Sequence, residues 1–238
     1  MMLSPALVTE VMEATWPPAA HQACGPFTLR IGQGGGKRVS AATADGRWGA
    51  EDLSRAEAEM QASDQSPLFL IREDDADLDA ALVQRGYRKV DPVVIYAAPI
   101  KTLMGDGPSY MTTFPHWPPM QIARQLWADG GIGPARLAVM ERVNGPKCAV
   151  LGRTDDRAAG VAFVACHGRH AMLHALEVAP ALRRRGSAQN ILKAAAVWAQ
   201  DAGADTLSLA VTTANTPAGK LYQGLGMVEA GRYHYRQK

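Results

Sequence analysis

The chain has 238 residues, of which 47% are hydrophobic and 20% are charged, a composition typical of a soluble globular protein. This length suits one large domain or two small ones, and the net charge of +2 gives no bulk electrostatic attraction to nucleic acid or to a membrane surface. No apolar run is long enough to span a bilayer, and the three cysteines lack the spacing of metal ligands. We therefore expect a cytoplasmic protein, monomeric or homodimeric, with no metal site, no nucleic-acid partner and no membrane contact.

The first hundred residues alternate between helical patterns and short apolar runs. Ser4 and Pro5 are a typical start of a helix. The glycine-rich turn at 32–37 is not a phosphate-binding P-loop, because Ile31 replaces its first glycine and Arg38 replaces its Ser or Thr. We expect a hairpin loop there. The predicted order is α, β, β, α, β, α, β, at residues 4–15, 27–31, 38–43, 51–62, 67–72, 77–85 and 88–98.

A stretch rich in proline and glycine divides the chain into two halves. It predicts an N-terminal domain at 1–104, a linker at 105–118 and a C-terminal domain at 119–238. The second half is predicted to contain helices at 120–129, 134–143 and 186–202, strands at 148–152, 158–166, 170–178 and 206–211, and a further helix that starts near Pro217.

The stretch from Leu173 to Ala188 joins the end of a strand to the start of a helix through a short basic turn. Pro180 cannot donate to a strand ladder, so it marks the end of the strand at Val178. A helix N-terminus presents unpaired N–H groups and a positive dipole end, both of which favour anions. A run of charge is often only a solvated face, but here it lies at a glycine-containing helix start and predicts a pyrophosphate cradle. Its residues are Arg183, Arg184, Arg185, Gly186, Ser187 and Ala188.

Two segments of the second half resemble motifs of the GNAT superfamily of N-acetyltransferases. Arg183-x-x-Gly186-x-Ala188, after a strand that ends Val178-x-Pro180, is similar to the acyl-CoA motif Gln/Arg-x-x-Gly-x-Gly/Ala. The segment from Asn215 to Met227 resembles Asn-x-x-Ala-x-x-Leu-Tyr-x-x-Leu-Gly-Phe. The resemblance implies an α/β (α+β) fold, with a mixed, mostly antiparallel sheet flanked by helices, and acetyl-CoA as acyl donor.

The first half resembles the same fold without its cofactor motif. Residues 78–98 are similar to the family's last helix, its Gly-Phe/Tyr corner and its closing strand. No Arg-x-x-Gly-x-Gly/Ala sequence occurs between residues 40 and 60. The resemblance therefore implies two GNAT-like modules, the first of them degenerate. The alternative is an unrelated α+β extension.

The resemblance implies transfer of an acetyl group from acetyl-CoA to a primary amine by direct attack in a ternary complex. An alternative acceptor is a protein amine, and the alternative from another class is a non-catalytic acyl-CoA-binding or scaffold protein. The two helices at 120–143 border the acceptor site in the family, so Trp127 to Arg136 is a candidate substrate-contact region. Ordinary core packing is an equal alternative for its apolar members.

Cofactor contacts follow from the same resemblance. Backbone groups at Leu176 to Val178, where the strand splays from its neighbour, would hold the pantetheine arm, and the Val178 N–H would donate to the thioester oxygen. Most phosphate contacts would come from N–H groups between Arg184 and Ala188, with Arg183 at the motif's fixed basic position. Asn215 would contact pantetheine or fix a helix corner, and Ala218 belongs to the same motif.

Three residues are candidates for proton transfer. Tyr222 matches the tyrosine that many family members use as general acid, and its alternative is simple packing beside the cofactor. His174 and Glu177 are both candidate bases, because a histidine with a pKa near 6.5 suits the task and a carboxylate could act through water. Strand alternation puts these two on opposite faces unless a bulge intervenes. A structural histidine, a paired glutamate and the absence of a dedicated base stay open.

Overall fold

A computed structural model describes residues 4–238. Their order in the chain closely follows the predicted alternation of helices and strands. The helices are α1 (Pro5–Thr15), α2 (Ala50–Ala62), α3 (Ala76–Gln84), α4 (Ile100–Met104), α5 (Gln121–Asp129), α6 (Pro134–Arg142), α7 (Ser187–Asp201) and α8 (Thr216–Gly224). The strands are β1 (Ala20–Cys24), β2 (Phe27–Ile31), β3 (Thr43–Ala44), β4 (Leu68–Arg72), β5 (Arg88–Pro99), β6 (Thr113–His116), β7 (Lys147–Thr154), β8 (Arg157–His167), β9 (His170–Val178), β10 (Thr206–Thr212) and β11 (Val228–Gln237).

One long sheet runs through both halves of the chain. Its strand order is β4-β11-β5-β10-β9-β8-β7-β6, and all neighbouring pairs are antiparallel except β9 with β10. A second antiparallel sheet, β1-β2-β3, is joined to β4 by a bridge between Ala42 and Phe69. The predicted mixed, mostly antiparallel sheet flanked by helices is confirmed.

The two halves exchange their last strands within this sheet. β5 ends the first half but lies between β10 and β11, whereas β11 ends the second half but lies between β5 and β4. The sequence pattern predicted β5 at 88–98 but did not predict β11, and it gave no sign of the exchange, because either neighbour offers the same hydrogen-bonding edge. The candidate modules therefore share one continuous sheet.

Three local features differ from the sequence expectations. The last residues of the expected linker form β6, which pairs with β7 because Phe114 there packs on an apolar cluster. The expected strand at 38–43 is a 3-10 turn at Lys37–Val39 followed by the short β3. Strand β1 was missed because its sequence, AHQAC, has mostly exposed and weakly apolar side chains.

Helix α7 lies across the long sheet with its start beside the end of β9. Glycines at 152 and 160 make this close approach possible, since a Cβ at either position would lie 2.6 Å from its nearest neighbour, Ile191 Cδ1 and the Glu177 carbonyl oxygen respectively. Ile191 and Leu192 are fully buried against the sheet, and side chains of this kind each contribute about 1.5–3 kcal/mol on burial. This packing fixes where the first turn of α7 points.

Candidate active site

A cleft opens where β9 and β10 separate. Their parallel pairing runs from His170 with Thr206 to Leu173 with Leu209 and stops there. Beyond that point lies a cavity of about 390 Å³ with walls from both strands, and the predicted splay is present. The two strands supply Leu173, His174, Ala175, Leu176, Leu209, Ala210, Val211 and Thr212 to its lining.

A bulge in β9 reverses the expected alternation. Val161 of β8 lies opposite Glu177 and Phe163 lies opposite His174, so β9 carries one extra residue between them. Ala175 has a φ of +51°, and its carbonyl oxygen accepts a 2.8 Å hydrogen bond from Nε1 of the buried Trp127. The bulge brings His174 and Glu177 to the same face of the sheet, which is the exception to strand alternation that the sequence analysis left open.

His174 is buried inside a closed hydrogen-bond chain. Its Nδ1 lies 3.0 Å from Nη1 of Arg38, which can only donate, so Nδ1 must accept. Its Nε2 therefore carries the proton and donates to Oγ1 of Thr15 at 2.9 Å, and that hydroxyl donates to the Val11 carbonyl oxygen at 2.6 Å. Burial first, and the Arg38 charge second, hold the pKa of His174 well below 6.5. The ring is neutral and its one lone pair is occupied.

Glu177 and Arg183 brace the end of β9. Arg183 Nη2 donates to Glu177 Oε1 at 3.1 Å, and its Nε donates to the Val178 carbonyl oxygen at 3.0 Å. The Glu177 side chain fills the space beside Gly130, where an added Cβ would lie 2.5 Å from Glu177 Cγ. Arg183, a predicted cofactor contact, thus uses two of its donors to bind β9. Glu177 Oε2 accepts no hydrogen bond from the described residues.

The first turn of α7 combines left-handed residues with free backbone N–H groups. Gly186 caps it in the left-handed region, with a φ of +84°, and Arg184 has a φ of +63°. No described residue accepts a hydrogen bond from the N–H groups of residues 184–189. Such alternating turns with free N–H groups form anion-binding nests. Ser187 is buried and its Oγ lies 2.7 Å from Thr154 Oγ1, so its side chain ties the nest to β7.

The remaining arginines of the basic run are exposed. Arg185 pairs with Asp155, and Arg184 has no ion pair within residues 4–238. Ala188 is partly buried in the same turn and keeps it narrow. The structure thus brings together all six predicted cradle residues. The free donors of this turn include its backbone N–H groups, whereas the Arg185 guanidinium is engaged by Asp155.

Tyr222 lies in the wall of the cleft. Its ring is 6% exposed and stands 6.0 Å from the ring of Tyr96. Burial raises the pKa of Tyr222 to about 12, so the phenol keeps its proton at neutral pH. No hydrogen bond within the described residues uses its hydroxyl. Asn215 caps α8 by accepting from the N–H of Ala218 at 3.2 Å, which is the turn role considered from the sequence, and Asn215 also lines the cleft.

The other wall of the cleft comes from residues that the sequence motifs did not reveal. The glycine-rich turn is not a free hairpin loop, because an added Cβ at Gly35 would lie 2.6 Å from Val139 of α6. Within the candidate acceptor region, Ile132 and Arg136 line the cleft while Trp127 is buried in the core. The only sequence signal for this wall was the alternation of Tyr233 and Tyr235 in β11. The additional lining residues are Trp16, Gly35, Gly36, Lys37, Arg38, Asp91, Val93, Tyr233 and Tyr235.

The residues that the structure describes were also considered as metal ligands, as membrane-spanning helices and as reactive thiols. Within residues 4–238 no group of three or more His, Cys, Asp or Glu side chains is arranged to hold a metal ion. No helix in that range has the length and apolar character needed to cross a membrane. Cys148 and Cys166 are buried outside the cleft lining, and burial raises the pKa of their thiols to about 12 and about 11.

Comparison with known proteins identifies the family of the second half. Residues 113–227 match the model of the acetyltransferase (GNAT) family. The uncharacterized N-acetyltransferase YobR of Bacillus subtilis is 23% identical over an alignment of 257 positions, which covers 97% of this chain and 97% of that protein.

Solved structures share the fold over almost the whole chain. A GCN5-related N-acetyltransferase from Kribbella flavida aligns with a TM-score of 0.73 at 16% identity, covering 97% of this chain and 94% of its own. A tandem GNAT protein from the clavulanic acid biosynthesis pathway aligns with a TM-score of 0.61 at 15% identity, covering 98% of this chain and 88% of its own. The chain therefore carries an acetyltransferase domain of the GNAT family at residues 113–227, within a fold that it shares over nearly its full length with GNAT structures.

Proposed function

We propose that this chain is an N-acetyltransferase that moves an acetyl group from acetyl-CoA to a primary amine by direct attack in a ternary complex. The observation that supports this most strongly is the set of free N–H groups at residues 184–189, which follow the end of β9 beyond the point where β9 and β10 separate. A CoA ester needs both features, a site for a pyrophosphate and a slot for an extended amide-containing arm.

The residues of the nest and the slot fit the donor. The N–H groups of residues 184–189 would bind the pyrophosphate, with Arg184 and Arg185 adding positive charge. Backbone groups from Leu176 to Val178 would hold the pantetheine arm, with Asn215 and Ala218 on the opposite side and the Val178 N–H as donor to the thioester oxygen. The bound donor supplies an activated acyl group, and every other contribution comes from this chain.

Proton transfer is assigned by elimination among Tyr222, His174 and Glu177. Tyr222 holds a proton at its hydroxyl across the neutral range and would give it to the leaving thiolate. His174 does not suit the base, because Arg38 occupies its lone pair and its pKa is depressed. Glu177, with Oε2 free, or a water beside it, would take the proton of the amine.

The first half is proposed to hold no cofactor of its own. It would act as the wall that shapes the acceptor side of the cleft. Trp16, Lys37 and Arg38 come from this half and line the cleft.

Calorimetric titration with acetyl-CoA tests the proposal on a matched pair of variants. Gly186→Asn and Gly186→Asp have nearly the same shape, and both asparagine and aspartate tolerate the left-handed φ of +84° at this position. Nothing lies within 4 Å of an added Cβ there, so neither side chain would clash. A negative charge about 4 Å from a phosphate should weaken binding by roughly 100-fold or more, so Gly186→Asp should lose acetyl-CoA while Gly186→Asn keeps most of it.

Two outcomes contradict the proposal. Equal affinity of the two variants for acetyl-CoA would show that its phosphates do not bind at the start of α7. Binding of acetyl-CoA by the unmodified protein without release of free CoA in the presence of a broad set of amines would favour a non-catalytic acyl-CoA-binding protein.

A further inference from the structure

The acceptor side of the cleft carries an unbalanced positive charge. Four charged side chains line it: Lys37, Arg38, Asp91 and Arg136. Asp91 is the only carboxylate among them, and Lys37 Nζ already binds its Oδ2 at 2.6 Å. Within residues 4–238 no carboxylate lies within 4.0 Å of the guanidinium of Arg38 or of Arg136.

Arg38 is the more unusual of the two arginines. Its Nη1 donates to a neutral imidazole at 3.0 Å, and its Nε is buried without any hydrogen-bond partner. Burial lowers the pKa of Arg38, but the adjacent Tyr233 and Tyr235 raise it beyond the ordinary value of an arginine, so the side chain is a cation. A partly buried cation that has no counter-ion, and whose buried Nε has no hydrogen-bond partner, is costly for a folded protein. A ligand that brings an anion to this place would offset that cost.

The phosphates of a CoA ester do not account for this charge. They have their own cradle at residues 184–189, with Arg184 and Arg185, on the far side of the β9 bulge from His174. Arg38 instead contacts His174, before the bulge, and belongs to the wall built by the first half of the chain. The two positive regions therefore serve different groups.

Aromatic and aliphatic side chains also line the cleft beside Arg38. The ring of Trp16 lies 5.0 Å from the ring of His174, and the rings of Tyr233 and Tyr235 meet edge to face at 5.5 Å. Ile132 adds an aliphatic surface. Such walls suit an apolar body that carries one charged group at a fixed place.

We propose that the acceptor is a small amine that also bears a carboxylate, and that Arg38, assisted by Arg136, binds this carboxylate. The inference rests on the proposed acetyltransferase function and names the substrate class of that same site. A guanidinium binds a carboxylate through two parallel hydrogen bonds, which a neutral amine cannot provide. The cleft therefore selects amino acids and their relatives over simple amines and over polyamines.

Matched amine pairs test the selection directly. L-Phenylalanine and 2-phenylethylamine differ only in the carboxylate, as do 4-aminobutyrate and propylamine. With saturating acetyl-CoA, release of free CoA thiol should give kcat/KM about 10- to 100-fold higher for the carboxylated member of a pair, mainly through KM, as a charge-assisted hydrogen bond predicts. Equal or better use of the neutral amines would overturn the inference and leave the acetyltransferase function intact.

Variants locate the carboxylate. Arg38→Gln and Arg136→Gln should each reduce the preference between the pair members, Arg38→Gln by the larger factor. Arg136 is exposed, so its variant should fold even if Arg38→Gln does not. Arg88→Gln is the control, because Arg88 is exposed on β5 outside the cleft and should keep the full preference. A preference that survives in both cleft variants would overturn the inference.

A binding measurement decides the matter even if turnover is absent. N-Acetylphenylalanine and N-(2-phenylethyl)acetamide are the two products, and they can be titrated calorimetrically into protein saturated with CoA. The carboxylated product should bind at least about 10-fold more tightly, and Arg136→Gln should narrow that ratio. Equal binding, or no binding of either, would overturn the inference, whereas selective binding without thiol release would uphold it and count against the proposed function alone.

Discussion

The first turns of α2 and α7 occupy corresponding positions in the order of elements of the two halves. They differ in whether their backbone N–H groups are free or are bound by the chain itself. α7 begins at a left-handed Gly186 with no acidic residue in its first turn and leaves its N–H groups free. α2 begins at Gly49 with extended backbone, and the Gly49 N–H donates to Asp52 Oδ2 at 3.0 Å. Glu51 and Asp52 satisfy the dipole of α2 from within the chain. A few residues thus distinguish a helix start with free N–H groups from a self-capped helix.

The corners that follow α3 and α8 show a second contrast, between Leu82 in the first half and Tyr222 in the second. In both, a glycine with a φ near +80° lets the next N–H bond back into the helix, from Tyr87 to Leu82 at 3.0 Å and from Met227 to Tyr222 at 3.1 Å. The backbone closure is therefore the same. Leu82 is fully buried and has no proton to give, whereas Tyr222 reaches the cleft. The same backbone corner therefore forms with a tyrosine or with a leucine at this position.

The first half has a different task from the second, because the exchange of last strands makes it a wall of the cleft. β11 lies between β5 and β4 of the first half and carries Tyr233 and Tyr235 to the acceptor side. Thr15 and Arg38 of the first half hold the ring of His174. Residues of the first half thus form part of the cleft that contains Tyr222.

The largest expected effect concerns the Tyr222 and Leu82 pair. Tyr222→Phe makes the second half resemble the first at this position, and removal of a general acid should lower kcat by roughly 10²–10⁴-fold. The affinity for acetyl-CoA should change little, because the ring stays in place. Steady-state thiol release together with calorimetry measures both quantities.

Tyr96→Phe is the matched control for this change. Tyr96 is the ring neighbour of Tyr222, and its hydroxyl accepts a hydrogen bond from Gln223 at 3.2 Å. Its loss should affect kcat much less than loss of the Tyr222 hydroxyl. Equal and small effects of the two variants would show that Tyr222 only packs beside the cofactor, and the contrast with Leu82 would then be structural.

The sequence alone predicted most of the helices and strands of both halves, although not α4, β1, β6 and β11, and it singled out the candidate cofactor residues. Those features depend on local signals, such as the glycine at the start of α7, the tyrosine of α8 and the apolar alternation of β9. The bulge at Ala175 and the exchange of β5 and β11 depend on pairing between distant strands, which periodicity does not encode. The acceptor wall was missed for the same reason, since Arg38 and Tyr233 meet only after the exchange.

A smaller effect is expected at the joint between the halves, where His174 meets Thr15 and Arg38. The pKa of His174 is depressed in the folded protein, so the unfolded chain binds a proton that the folded chain does not. Its contribution to stability is present above pH 6.5 and is lost as the pH falls below that value toward the folded pKa. The wild type should lose up to about 1.4 kcal/mol more per pH unit there than His174→Gln.

Urea unfolding at a series of pH values from 7.5 to 5 measures this difference. His234 also has a depressed pKa, because of burial, but it is present in both proteins and cancels in the comparison. Parallel stability curves for wild type and His174→Gln would contradict the assignment of a neutral, buried imidazole. They would also reopen the possibility that His174 is the general base.

The smallest effect tests the exchanged strand through a position at which the halves differ. Asp79 of α3 binds Arg236 of β11 at 2.7 Å and His234 at 2.7 Å, and Gly219 holds the corresponding place in α8. The hydrogen bond from Arg236, aided by His234 and opposed by burial, lowers the pKa of Asp79 to about 2. This stabilisation is present above pH 3.8 and is lost as the pH falls through 2. Because the carboxylate is partly exposed and screened, Asp79→Asn should cost only about 1 kcal/mol at pH 7. Thermal unfolding at pH 7 and pH 3 would show a gap that shrinks with acid, and a gap of the same size at both values would mean that the strand is held in place by its ladder alone.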